Sequence, residues 1–256
     1  MPAPAAESNA CSGLRRERAM PNTPTNLLLA SLAPADFELL RPYLRSHAFQ
    51  QHDVLFEAGD AVSMAFFPFD CVVSLVVTLS GGETIEAAMV GRDGVVGAAA
   101  ALDGRISVSR AVVLISGGGV SCDVDALKHA AVQSAALHSL LIRHEQVVFA
   151  QAQQTAGCNI THTIEERLAR WLLRARDLSR SDTLPFTQEF LGEMLGVRRT
   201  SVTVVARTLQ QAGLFKYSRG RIQITDLEGM RETACECYAT VRKFYDTLLG
   251  HLPNDK

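Results

Sequence analysis

Six basic side chains and no acidic side chain lie between residues 194 and 225. An arginine fork can donate two parallel hydrogen bonds to a guanine edge, and either kind of cation neutralises backbone phosphate. The balance is reversed between residues 53 and 103, where eight acids accompany one base, Arg92. The net charge of −2 hides this asymmetry, which predicts a chain with one anion-binding end. The six cations are Arg198, Arg199, Arg207, Lys216, Arg219 and Arg221.

A helix, a tight turn and a second helix are predicted to position these cations. Thr187 can cap a first helix that runs through Met194, and Gly196 permits the left-handed turn after it. The second helix is predicted over residues 199–212, and Gly213 stops it. This order is typical of a helix-turn-helix, in which the first residues of the second helix reach base edges in the major groove.

The segment after the second helix predicts a wing. Residues 214–224 read as strand, turn and strand with a basic tip, and such a tip would contact phosphates without reading sequence. We therefore expect a DNA interface; the alternative is an ordinary pair of hairpins with a solvated charged face. The expected DNA-binding residues are Thr187, Arg198, Arg199, Thr200, Ser201, Thr203, Arg207, Lys216, Ser218, Arg219 and Arg221.

The N-terminal half predicts antiparallel β structure. Hydrophobic residues make up 47% of the 256, an ordinary globular balance. Between residues 52 and 124, short segments rich in Val, Phe and Ile alternate with glycine turns. We predict an α+β fold: a disordered tail (1–23), a β-roll or jelly roll (24–132), a long dimerisation helix (133–160), and a winged helix-turn-helix with a C-terminal helix (161–256).

The long helix carries a pattern that favours a homodimer. Residues at alternating three- and four-residue spacing form a narrow seam, as in a coiled coil. The alternative is that the helix packs on its own β-domain. The expected seam residues are Leu137, Leu140, Leu141, His144, Val147 and Val148.

The order of β-roll, long helix and winged helix resembles the Crp/Fnr superfamily of bacterial transcription regulators, in a branch that does not bind cyclic nucleotides. The resemblance spans roughly residues 26–249 and is most specific at 165–173 and 187–202. It implies a cytoplasmic homodimer that binds double-stranded DNA and contacts RNA polymerase. Arg199 matches the family's guanine-reading arginine. The glutamate that follows it in the family is Thr200 here, so the half-site of the best-known members is not expected.

The β-roll departs from the family's nucleotide binders. By resemblance, Gly97 matches the ribose-binding glycine, but the glutamate position is Ala98 and the phosphate-binding arginine position is Val108. Ser109 matches the serine, and Arg110 lies further along the strand. We therefore expect no tight cyclic-nucleotide binding. The candidate effector pocket (Gly97, Ala98, Ser109 and Arg110) would take an unknown effector or none.

The cysteines suggest no further chemistry. Cys158 and His162 are four apart, as two metal ligands on a helix can be, but no third ligand is near them in sequence. Cys235 and Cys237 would point about 200° apart on a helix, which disfavours a shared ligand. We expect no metal and no cofactor.

Catalytic patterns and membrane-spanning runs are not recognisable in the sequence. No Ser/His/Asp, Cys/His or paired-carboxylate arrangement rises above chance, and no apolar run reaches the length of a membrane span. We expect no enzymatic activity and no membrane partner. The prediction is a cytoplasmic, sequence-specific transcription regulator. The alternatives are an effector-independent architectural DNA binder and, as a weaker second, the regulatory module of an enzyme.

Overall fold

A computed structural model describes residues 25–250 of the chain, and the predicted tail at 1–23 lies outside this range. The architecture is the predicted α+β combination of a β-roll, a long helix and a C-terminal helix-turn-helix. The helices are α1 (Leu27–Ala30), α2 (Pro34–Leu40), α3 (Ala98–Ala101), α4 (Val124–Gln133), α5 (Ala135–Thr161), α6 (Ile164–Ser179), α7 (Gln188–Leu195), α8 (Arg199–Gln211), α9 (Leu227–Thr233) and α10 (Cys237–Leu249). The strands are β1 (Arg45–Phe49), β2 (Val54–Phe56), β3 (Met64–Pro68), β4 (Val72–Thr78), β5 (Thr84–Val90), β6 (Arg110–Ile115), β7 (Gly117–Asp123), β8 (Thr183–Leu184), β9 (Phe215–Ser218) and β10 (Arg221–Ile224).

Two antiparallel sheets form the β-roll. One has the strand order β1-β7-β3 and the other β2-β6-β4-β5. The glycine run at the start of β7 is a packing requirement, because a Cβ on Gly119 would lie 2.6 Å from the Phe67 carbonyl oxygen and 2.7 Å from the Phe49 ring. A larger residue there would separate β7 from its neighbours.

The long helix α5 packs within its own chain, against β5 and α10. Ser134 caps it: its Oγ accepts a hydrogen bond from the Leu137 N–H at 3.0 Å. Leu137, Leu141 and Val147 are fully buried, and the His144 ring accepts a hydrogen bond from the Val95 N–H at 3.2 Å. The predicted seam is therefore wrong for these residues and for Leu140, which is also buried, because the most apolar face of α5 is covered by the β-roll and α10. Val148 is half-buried and also packs against the β-roll core.

A different stripe of α5 is exposed. Its members follow one another at alternating spacings of four and three residues, the pattern that brings two helices together in a coiled coil. Ile142 is 42%, Phe149 64% and Ile160 87% exposed, which is unusual for large apolar side chains in a chain with a well-packed core. We call this set the α5 stripe: Ala135, Ser139, Ile142, Gln146, Phe149, Gln153, Ala156 and Ile160.

Helix α6 joins the C-terminal part to the β-roll. It begins with a capping box, in which Thr163 and Glu166 exchange hydrogen bonds across the first turn. Trp171 lies in a core that includes β4 and β5 on one side and the helix-turn-helix on the other. Arg174 forms a buried ion pair with Asp93, with Nη1 and Oδ2 2.7 Å apart. The C-terminal part of the chain is thus fixed to the β-roll through packing and buried charge.

No helix between residues 25 and 250 is both long enough and apolar enough to cross a membrane.

Candidate nucleic-acid interface

Helices α7 and α8 meet at the predicted turn. The Thr187 Oγ1 accepts a hydrogen bond from the Phe190 N–H at 3.2 Å, which starts α7, and Gly196 ends it with a φ of +63°. Gly192 has a role that the sequence reasoning missed. A Cβ at this position would lie 2.9 Å from the Val197 carbonyl oxygen, so only glycine lets the turn approach α7 this closely.

Helix α8 buries one face and exposes the face that carries the predicted contacts. Val202, Ala206 and Leu209 are buried against α6 and α7. The other face is open to solvent. Its exposed residues are Arg198, Arg199, Thr200, Val204 and Arg207, with Ser201 half-buried beside them.

The first turn of α8 is suited to an anion. Arg198 occupies the N-cap position, and its side chain makes no capping hydrogen bond. The backbone N–H groups of Arg199 and Thr200 therefore remain for an external acceptor, whereas the Ser201 N–H donates to the Arg198 carbonyl oxygen at 2.9 Å. The helix dipole favours a phosphate there. No acidic side chain lies in this segment to compete.

Thr203 is placed differently from the other predicted residues. It is half-buried, and its hydroxyl lies 2.7 Å from the Gln188 Oε1 and 3.0 Å from the Arg199 carbonyl oxygen, both acceptors. The hydroxyl proton is therefore used within the protein, where it ties α8 to α7. Gln188 was not among the predicted site residues, because an amide at the first position of a helix carries no distinguishing sequence signal.

The wing is the hairpin of β9 and β10. Arg219 and Gly220 both have positive φ, +49° and +74°, which is the two-residue turn that matches the twist of a hairpin. Exposed Lys216, Ser218, Arg219 and Arg221 surround this tip. A Cβ on Gly220 would lie 3.4 Å from the Thr187 Cγ2, so the tip adjoins the start of α7. The structure thus brings the predicted residues of the wing and of α7 together.

The comparisons with known proteins bear on this geometry. Residues 166–233 match the family of Crp-like helix-turn-helix domains. No match was found among curated protein sequences.

Solved structures of the Crp/Fnr type are similar in fold over about three quarters or more of this chain. FixK2 from Bradyrhizobium japonicum superimposes with a TM-score of 0.64 at 15% identity, over 75% of this chain and 98% of that one. A Crp/Fnr-family transcriptional regulator from Thermus thermophilus gives 0.62 at 21% identity, over 74% and 98%. One from Eubacterium rectale, described as a transcriptional regulator of the same family, gives 0.61 at 17% identity, over 80% and 96%. The predicted Crp/Fnr resemblance and fold are confirmed.

The candidate effector residues do not line the cavity described in this part of the β-roll. Ala98 is fully buried in α3, and Arg110 pairs with Glu57, with Nε and Oε1 3.2 Å apart. Val108, at the position of the family's phosphate-binding arginine, is 93% exposed. A cavity of about 270 Å³ lies nearby, but Gly97, Ala98, Ser109 and Arg110 are not part of its lining. Its lining is Leu55, Phe56, Asp60, Ala61, Val62, Ser63, Met64 and Phe66.

The structure corrects the interpretation of the C-terminal cysteines. Cys235 precedes α10, which begins at Cys237, so the two residues do not diverge around a helix as expected. Their thiols come together with Cys158 and His162 from the end of α5. The hydrogen bond with Cys235 lowers the pKa of the Cys158 thiol, against the effect of burial.

Proposed function

We propose that this chain is a sequence-specific DNA-binding transcription regulator that acts as a cytoplasmic homodimer. The observation that carries the proposal is the exposed, acid-free face of α8 beside a basic wing, on a domain of the Crp-like helix-turn-helix family. In this role Arg198 to Ser201 enter the major groove and the wing contacts the adjacent backbone. Contact with RNA polymerase is part of the same proposal.

The α5 stripe supports the homodimer. It is exposed in the chain alone, runs the length of the longest helix, and has the heptad spacing that suits a second copy of the same helix. A two-fold pair would repeat α8 on successive major grooves, about 34 Å apart. The DNA site should therefore be an inverted repeat.

Selection of genomic fragments tests the proposal directly. Purified protein is mixed with random fragments at physiological salt, and the retained DNA is sequenced. We expect an enriched two-fold motif, whose neighbouring genes would indicate what is regulated. Binding without enrichment, with a steep salt dependence and a small specificity ratio, would instead support the architectural alternative.

Replacing Arg199 with alanine should relax preference at one base pair in each half-site. A bidentate arginine–guanine contact contributes about 1–3 kcal/mol of discrimination, and alanine keeps α8 helical. Competition binding against sites altered at each position measures this preference. An unchanged base preference in Arg199→Ala would rule out its role in reading the sequence.

Replacing Arg219 with asparagine should weaken binding to all sequences alike. Asparagine tolerates the positive φ of the wing tip, so the hairpin is kept while one charge is removed. Loss of one phosphate contact should reduce the slope of log K against log salt by about 1 per protomer. The measurement is a salt titration on specific and random duplexes, with Arg199→Ala as the contrasting variant. A loss confined to the specific duplex would contradict a phosphate contact.

A further inference from the structure

Three thiols and an imidazole converge where the long helix meets the C-terminal part of the chain. Cys158 lies in the last turn of α5, His162 follows that helix, and Cys235 and Cys237 flank the start of α10. One ligand atom from each residue lies within 4.8 Å of all the others. The thiols are buried and the imidazole is half-buried, so a group of soft donors surrounds one small volume.

Two of the six donor–donor separations match the edges of a metal-centred tetrahedron. Zn–S bonds of about 2.3 Å and Zn–N bonds of about 2.0–2.1 Å give S–S edges of about 3.8 Å and S–N edges of about 3.6 Å. The Cys158 and Cys235 sulfurs are 3.6 Å apart, and the Cys237 sulfur is 3.6 Å from the His162 Nδ1. The other donor–donor distances are at most 4.8 Å, so the four donors would close on one ion by moving towards a common centre.

Surrounding groups orient these donors as ligands. The His162 Nε2 lies 3.1 Å from a carboxylate oxygen of Glu236, which leaves Nδ1 as the atom facing the thiols. In zinc sites, the ring nitrogen that does not bind the metal usually donates a hydrogen bond to a carboxylate in this way, which fixes the orientation of the imidazole. The Gln154 Nε2 donates a hydrogen bond to the Cys237 sulfur at 3.0 Å. Each of these contacts stabilises a metal-bound form of its partner.

Two buried cations match the charge of such a site. Arg167 and Arg170 are each 6% exposed, and both interact electrostatically with Cys158. Within residues 25–250, neither Nε has a hydrogen-bond partner. One divalent ion with three thiolates carries a charge of −1, which would offset part of this buried positive charge.

We propose that Cys158, His162, Cys235 and Cys237 bind one divalent, thiophilic metal ion, Zn²⁺, in a tetrahedral Cys₃His site. Binding displaces the remaining thiol protons to solvent, forms three Zn–S bonds and one Zn–N bond, and involves no change of oxidation state. The compact donor set favours a single ion over an iron–sulfur cluster, in which separate irons carry the thiolates at the periphery.

A metal ion at this position would affect the junction between the long helix and the C-terminal part of the chain. Its ligands come from segments 77 residues apart, and they join the end of α5 to the start of α10, next to the first turn of α6. The ion would fix the junction through which the long helix holds the DNA-binding domain. This regulatory consequence rests on the proposed function: zinc should tighten binding to the DNA site by about 10-fold or more, as a typical allosteric coupling of 1–3 kcal/mol allows.

Metal content and cobalt spectroscopy of the full chain test the site without reference to DNA. Protein purified under reducing conditions should contain about one Zn²⁺ per chain, and the stripped chain should bind Co²⁺ with tetrahedral visible bands and thiolate charge transfer. Cys237→Ala should abolish both signals. Cys122→Ala, which removes a buried thiol of the β-roll, should leave both unchanged. Glu236→Gln, at an exposed residue, should keep the spectrum but weaken the affinity by about 10–100-fold.

Three results would overturn the proposal. These are a chain that takes up no metal, Co²⁺ bound without thiolate charge transfer, and a Cys158–Cys235 disulfide in protein kept under reducing conditions. The first two can occur while the DNA motif is still enriched, so failure of the metal site is distinguishable from failure of the proposed function. Zinc that binds without changing DNA affinity would overturn the regulatory consequence alone.

Discussion

Introducing glutamates at Ile142 and Phe149 together should convert the protein to a monomer and weaken binding to a two-fold DNA site by about 10²–10⁴-fold. Both side chains are exposed in the single chain, so the replacement should leave its fold intact. In a two-fold helix pair the added carboxylates would face one another across the seam, where like charges repel. The loss in affinity follows because the second half-site is no longer bound within the same complex.

Sedimentation equilibrium and binding to duplexes with one or two half-sites measure the two parts of this result. Affinity for a single half-site should be unchanged, since α8 is not altered. Ala136→Glu is the control: it adds one carboxylate at an exposed position of α5 that lies outside the α5 stripe. A double variant that remains dimeric would show that the two copies associate elsewhere.

The two faces of α5 show what the spacing of apolar residues can and cannot predict. The heptad pattern indicated a helix that packs along its length, and α5 does so. It could not say which partner covers which face. Leu137, Leu141 and Val147 form the stronger apolar pattern, so the sequence reasoning assigned them to the dimer, whereas they complete the chain's own core. The apolar pattern of the α5 stripe is weaker than that of the buried face, because glutamines interrupt it.

The helix-turn-helix was predicted closely because its determinants are local. The Thr187 cap, the left-handed Gly196 and the terminator Gly213 act within a few residues, and each appears where the sequence placed it. What the sequence could not supply was the state of individual side chains. In the sequence nothing distinguishes Thr203 from its exposed neighbours. In the structure its hydroxyl donates a hydrogen bond to Gln188 across the turn.

The cysteine cluster could not be predicted, since it depends on contacts between distant segments. Cys158 and Cys235 are 77 residues apart, and only the packing of α10 against α5 brings them together. The helical geometry assumed for Cys235 and Cys237 also failed, because α10 starts at Cys237 and Cys235 lies before the helix.

The ion pair between Asp93 and Arg174 connects two parts of the chain that are far apart in the sequence. Asp93 belongs to the β-roll and Arg174 to α6, and both are less than 10% exposed. The Arg174 guanidinium also lies 4.4 Å from the ring centroid of Tyr245 in α10, whose hydroxyl donates to the Gln151 Oε1 in α5. The β-roll, α6 and α10 therefore meet at one buried charge, and Tyr245 links this site to α5.

Replacing Asp93 with asparagine should lower the free energy of unfolding by about 3–5 kcal/mol, because the Arg174 charge would stay buried without its counter-ion. Urea denaturation at a fixed protein concentration measures this, as a lower midpoint with an unchanged slope. Asp125→Asn is the control: it breaks the exposed pair with Arg105 and should cost less than about 1 kcal/mol. Adding Arg174→Met to Asp93→Asn removes the stranded charge and should recover part of the loss. If the two replacements instead destabilise additively, the cost comes from packing and not from the unpaired arginine.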